Sequence, residues 1–254
     1  MLFEDSSSLS YVILIVFAVL AIASLLLHLP SVRGKRGESR IARKLGRLEK
    51  DQYIVLNDLL ISTPAGTSQI DHVVLSRSGI HVIETKNYSG WIHGNEGSGQ
   101  WTQSIYRTKN RFPNPVKQNW GHVRALKQVL SELGDVPVYP IVVFVGSAEL
   151  KNVQSKSPVV YGSDLLETIR KTREFSLSRD QVREIEAKLV QSNMKDRFSR
   201  KAHINQIRTS HNRSRQRERE LICPKCGGRL VIRSGKFGSF YGCNNYPRCR
   251  YTLR

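Results

Sequence analysis

Apolar residues follow several distinct patterns along this 254-residue chain. From Tyr11 to Leu27 they run without a charged position, and with Leu9 and Leu29 at the edges the run approaches the roughly 20 residues a helix needs to cross a bilayer. Beyond Gly37 and Glu38, the residues Ile41, Leu45 and Leu48 recur at helical spacing, which predicts an amphipathic helix with Glu38 on or beside its buried face. Extended patterns follow at Tyr53–Ile61, Gln69–Ser76 and Ile80–Thr85, the last two joined by Arg77-Ser78-Gly79, read as a three-residue hairpin loop with glycine at its left-handed position. Trp91–His93 and Trp101–Ser104 read as shorter strands, with turns at Gly90, Gly94, Gly97 and Gly99. Asn114-Pro115 reads as the cap and first position of a helix running to about Leu133, with Val116, Trp120, Val123, Leu126, Leu130 and Leu133 along one stripe. Val136–Val145 is apolar enough for a strand buried on both faces at the centre of a mixed sheet. Helical patterns near Asp164–Lys171 and Arg179–Gln191 come next, and from Asn193 to Glu220 periodicity gives way to Arg and Ser.

Charge divides the chain further. The net charge is +19, and three segments account for it: residues 31–50 with eight Lys/Arg against two acids, residues 193–220 with nine against three, and residues 221–254 with seven against none. Such clustering calls for polyanionic partners, nucleic acid or anionic lipid, beyond what solubility asks. The basic flank after the apolar run (Arg33, Lys35, Arg36, Arg40, Arg43, Lys44) and the acidic leader with Glu4 and Asp5 favour a retained transmembrane helix over a cleaved signal. The expected organisation is therefore an anchor at 1–30 with the amino terminus outside the inner membrane, an α/β domain at 31–150, a helical extension at 151–192, a basic linker at 193–220 and a module at 221–254 in the cytoplasm.

One constellation could do chemistry. Glu84 and Lys86 project from one face of their strand by the two-residue period, and folding the hairpin sets Asp71 directly or diagonally across from Glu84. Two carboxylates and an ammonium in one patch suit Mg²⁺ or Mn²⁺, which could polarise a phosphodiester while Lys86 places a water; the alternative is an ordinary cross-strand ion pair. The spacing D-x12-E-x-K is that of the PD-(D/E)xK nucleases, a mixed sheet flanked by helices. With GESRIARKL at 37–45, QIDHVVLSRSGIHVIETKNYSGWIHG at 69–94 and NPVKQNWGHVRAL at 114–126, the stretch 35–145 resembles the nuclease-related domain, or NERD, family. That resemblance implies Glu38, Asp71, Glu84 and Lys86 as active-site positions and Gln118 as an accessory one. Trp91, Trp101 and Trp120 read as core or ring-packing residues.

All four cysteines lie in the tail, as Cys223-x2-Cys226 and Cys243-x5-Cys249 separated by 16 residues, the spacing of a tetrahedral zinc site; two disulfides are the alternative that a reducing compartment disfavours. CPKCGGRLVIRSGKFGSFYGCNNYPRCRYT resembles the four-cysteine zinc ribbons of bacterial type I topoisomerases. The resemblance implies DNA binding, chiefly of single strands, and Arg229, Arg233, Lys236, Phe237, Phe240, Tyr241 and Arg248 supply cations and stacking rings for it, although some of the rings must instead fill the small core. The expected activity is metal-dependent phosphodiester hydrolysis of DNA; the competing expectation is a non-catalytic, membrane-tethered nucleic-acid-binding protein.

Overall fold

The computed structural model describes residues 30–64, 66–172, 174, 176–194, 221–235 and 238–253. The expected transmembrane segment, nearly all of the basic linker, Lys236 and Phe237 lie outside them. No helix among the described residues is long and apolar enough to cross a membrane. The chain divides into two compact units at Met194 and Lys195.

The first unit begins with α1 (Pro30–Leu45), helical from the first described residue, so the helix already runs through the seven residues before Gly37. Gly37 lies mid-helix for a packing reason: a Cβ there would stand 2.7 Å from the Cβ of Asn87, so only glycine lets α1 close onto the strand beneath. Strands β1 (Ile54–Thr63), β2 (Gly66–Ser76) and β3 (Gly79–Asn95) form an antiparallel meander. The β2–β3 turn has two residues rather than three, because Ser76 pairs with Gly79. Gly79 keeps the expected positive φ, and a Cβ there would meet the Pro137 carbonyl oxygen at 2.5 Å.

β3 runs for 17 residues without the break expected after Thr85, because β6 (Val138–Gln154) pairs with it in parallel along almost its whole length. A second hairpin, β4 (Gln100–Ile105) and β5 (Thr108–Pro113), joins the distal end of β3, and β7 (Val159–Tyr161) lies beyond β6. The result is a seven-stranded mixed sheet.

Helices cover both faces. α2 (Pro115–Val129) and α4 (Arg179–Ser192) pack on Val73, Leu75, Ile80 and Val82, while α1 and α3 (Leu165–Arg170) pack on Val74, Ile83, Ile141 and Val143. Neighbouring residues of one strand thus enter opposite layers, as the pleat requires. Asn114 caps α2 as its sequence predicts, accepting from the backbone N–H of Val116 and Lys117, and the helix ends at Val129 before a short 3-10 turn at Ser131–Leu133. Of the three tryptophans only Trp101 is core; Trp91 and Trp120 are exposed, which corrects the expectation for both. Trp120 sits at the edge of its helical stripe and donates Nε1–H to Ser157 Oγ. The residues immediately after α4 remain attached: Asn193 Oδ1 accepts from Leu60 N, and Met194 N donates to Leu60 O.

The second unit is a three-stranded antiparallel sheet of β8 (Leu230–Gly235), β9 (Gly238–Cys243) and β10 (Thr252–Leu253), closed over the cysteines.

Candidate functional site

The first unit's polar cluster sits in a fork of the sheet. β2 and β3 stay paired up to His72 and Ile83, and then β2 leaves. β4 joins β3 only at Trp91. Between them, Glu84 to Gly90 keep β6 on one side and, among the described residues, have no strand on the other. One step beyond the last β2–β3 pair, Asp71 stands opposite Glu84, as the hairpin count predicts. Its Oδ2 accepts the Thr85 backbone N–H at 2.8 Å, so a carboxylate replaces the strand that has left.

Further side chains converge there. Glu84 is 2 % exposed, and both its oxygens are engaged: Lys86 Nζ lies 2.6 Å from Oε1 and His122 Nε2 lies 3.1 Å from Oε2. Lys86 also donates to Gln118 Oε1 at 3.0 Å, and His122 Nδ1 lies 2.7 Å from Ser68 Oγ. Gln118 and His122 are one turn apart on α2, which places both over the same strand. Just beside them the buried Asn119 donates to the carbonyls of Val82 and Ile141, fastening α2 to β3 and β6. Glu38 comes from α1, close enough to Asp58, Glu84 and Lys86 to feel their charges.

The electrostatics are those of crowded carboxylates. Burial raises Asp71 well above the usual range, and the charges of Glu84 and Glu38 add to this against the Thr85 hydrogen bond. Glu38 is raised by burial and by Asp58 and Glu84. Burial works against ionised Glu84 too, but Lys86 and His122 outweigh it and hold its carboxyl below the usual value. Burial pulls the Lys86 ammonium down, and Glu84 more than restores it. The pair is therefore ionised, while Glu38 and Asp71 carry negative charge at a cost. A divalent cation would relieve that cost. Carboxylates are hard oxygen donors, a set that fits Mg²⁺ or Mn²⁺. All five residues expected from the sequence meet in this fork; Asp58, Ser68 and His122 were not anticipated. His122 stands four residues after Gln118, a spacing that becomes a signal only once Gln118 is known to face the strand, whereas Asp58 and Ser68 carry no local signal.

In the second unit the sulfurs of Cys223, Cys226, Cys243 and Cys249 all lie within 4.8 Å of one another, and none is in a disulfide. The separations of 3.7 Å for Cys223 and Cys249 and 3.3 Å for Cys226 and Cys243 approach the edge of a tetrahedron built on Zn–S bonds of about 2.3 Å. Asn245 donates its backbone N–H to Cys243 Sγ and its side-chain amide to Cys226 Sγ. The Gly228 backbone N–H, and then Cys243, lower the Cys226 thiol to about 6. Donor set and spacing fit a structural Zn²⁺. Around it Tyr241 is half-buried against the cysteine core, a packing role rather than an open stacking surface. Phe240 is half-buried, Arg229 and Arg248 are exposed, and the Arg233 guanidinium lies over the exposed ring of Tyr246 at 5.6 Å.

Comparison with known proteins places both units. Residues 33–145 match the nuclease-related domain, and residues 220–254 match the topoisomerase DNA binding C4 zinc finger. An uncharacterised protein of Bacillus anthracis is 36 % identical over 190 residues, covering 73 % of this chain and 87 % of that protein. The tail is 56 % identical over 36 residues to DNA topoisomerase 1 of Methanocaldococcus jannaschii, a match spanning 14 % of this chain and 5 % of the topoisomerase. It is 69 % identical over 30 residues to the uncharacterised protein YrdD of Escherichia coli, covering 12 % of this chain and 17 % of that protein.

Proposed function

The chain belongs to the nuclease-related domain family, and from that membership together with the fork we propose that it hydrolyses phosphodiester bonds of DNA with the help of Mg²⁺ or Mn²⁺. The observation that carries this reading is the convergence of Glu38, Asp71, Glu84 and Lys86 at an open strand edge, with Asp71 bound to the Thr85 backbone. Asp71 and Glu84 would hold the cation, with Glu38 completing or supporting the set. A bound divalent ion supplies Lewis-acid polarisation of a phosphate oxygen and a more acidic water. Lys86 holds a donor at the mouth of the fork, where it orients the attacking water or offsets developing charge. Gln118 keeps the Lys86 ammonium in the fork, and His122 keeps the Glu84 carboxylate facing it. The zinc ribbon is proposed to hold single-stranded DNA through Arg229, Arg233, Arg248, Phe240 and Tyr246, with Lys236 and Phe237 between them in sequence. Residues 1–29 are proposed as a single inner-membrane anchor with the amino terminus outside.

The test is cleavage of single-stranded, duplex and branched DNA by the purified chain with Mg²⁺ or Mn²⁺. Wild type should cut at least one form, while Glu84→Ala and Lys86→Ala should lose at least about 100-fold in rate, the usual weight of a positioned proton-transfer or charge-stabilising group. A folded wild-type protein that cuts none of them overturns the proposal and leaves a tethered DNA-binding protein, a reading favoured by the fact that Lys86 and His122 already occupy both Glu84 oxygens. The same preparations, with and without residues 1–29, report the anchor by their partition into membrane vesicles.

A further inference from the structure

The nuclease reading leaves one prominent feature without a role. At the tip of the β4–β5 hairpin, Tyr106 is 102 % exposed relative to a free side chain and its φ is 50°. It is the first of two turn residues between the paired Ile105 and Thr108, a position where positive φ ordinarily selects Gly or Asn. A tyrosine there strains the backbone and buries nothing, so the fold does not account for it.

The surroundings of Tyr106 are one-signed. Between Glu96 and Glu132 the chain has no acidic residue but carries Arg107, Lys109, Arg111, Lys117, Arg124 and Lys127. Lys109 and Arg111 are exposed on β5, opposite Ser104 and Thr102, and alternate with buried Phe112. They therefore share the face turned away from the core, about 6.6 Å apart along the strand, each free to meet a different phosphate of one nucleic-acid strand. β5 is also a sheet edge, and cations there discourage strand addition; that protective role needs no exposed aromatic ring.

The hairpin is firmly rooted and borders the fork. Trp101 is 1 % exposed, stacks on Phe144 with rings 2° from parallel, and faces Phe112 across the hairpin. Gln103 Nε2 donates to Ser89 O, within the open edge that holds Glu84 and Lys86. We propose that the β4–β5 hairpin is the surface on which the DNA lies as it enters the fork, its backbone phosphates on Arg107, Lys109 and Arg111 and the Tyr106 ring against a base or sugar. The proposal rests on the nuclease reading for its choice of ligand, and its test separates the two.

The full-length chain is titrated, without added Mg²⁺, onto a labelled duplex of about 30 base pairs over a range of salt. Replacing Arg107, Lys109 and Arg111 together by Gln should lower the slope of log affinity against log salt by about 2 to 3, as expected for up to three lost phosphate contacts. Removing equal charge elsewhere, as Lys171→Gln, Arg179→Gln and Arg183→Gln, should leave affinity within about twofold. Tyr106→Asn should weaken binding several-fold while its melting temperature stays level or rises, which a structural role for the ring would not produce. A hairpin triple variant no weaker than the control triple overturns the proposal. If wild type cuts DNA and the hairpin variants bind and cut unchanged, the surface fails and the nuclease reading stands; if wild type binds through the hairpin but cuts nothing, the reverse holds.

Discussion

Asp71 shows how a single carboxyl can be held against the interest of the fold. Its pKa is raised by burial and by Glu84 and Glu38, so across the window from the ordinary aspartate value up to its own it binds more protons folded than unfolded. Stability from this group therefore falls as pH rises through that window and is flat above it. Asp71→Asn keeps an oxygen for the Thr85 N–H and removes the charge. The variant should be more stable than wild type at pH 8 in magnesium-free urea titrations, with a smaller difference at pH 4. Added Mg²⁺ should stabilise wild type and not the variant, and the variant should cut no DNA. Equal stability at pH 8 would contradict the crowding of carboxylates. At this scale Asp71, Glu84 and Lys86 were legible because a two-residue period and a short hairpin determine their relation. His122, Asp58 and Ser68 were not, since they reach the same patch from α2, β1 and the start of β2.

Among the elements, the start of α2 joins local and distant structure. Asn114 caps the helix with its side-chain oxygen, and its amide donates to the carbonyls of Asn95 at the end of β3 and of Glu96 and Ser98 in the loop after it. The cap was readable from Asn114-Pro115; the three donations were not, because they depend on where β3 ends. Asn114→Ala should cost about 2 kcal/mol, more than the roughly 1 kcal/mol of a cap alone, since partly exposed carbonyls lose their donor as well. Asn114→Asp restores the cap only and should fall between the two in urea unfolding followed by tryptophan fluorescence. If Asn114→Asp is as stable as wild type, the amide contributes nothing. Helix α1 teaches a similar lesson: Gly37 looked like a helix start, but it is a contact point, and glycine serves both purposes equally well in a sequence.

Taken as a whole molecule, the chain joins a unit held by a large apolar core to one held by four sulfurs. Among the described residues the first has three clusters of buried aliphatic and aromatic residues, and the second buries little besides Leu230, Cys223, Cys243 and Cys249. Chelation should therefore unfold the ribbon and leave the first unit intact, seen as four thiols that turn from slow to fast reaction with a thiol reagent while the Trp101 fluorescence transition stays in place. Thiols that react equally fast before and after chelation would show that no metal holds the ribbon. The sequence by itself determined the alternation of strands, the cap of α2, the facing of Asp71 and Glu84, and the cysteine spacing, because each depends on residues a few positions apart or on one tight turn. Only the tertiary structure decided that β3 continues past Thr85, that its edge lies open from Glu84 to Gly90, and that His122 and Asp58 join the site. The physical reason is that which strand pairs with a given edge, and where it stops, is settled by contacts between segments far apart in the chain, and no local pattern of apolar and polar residues records it.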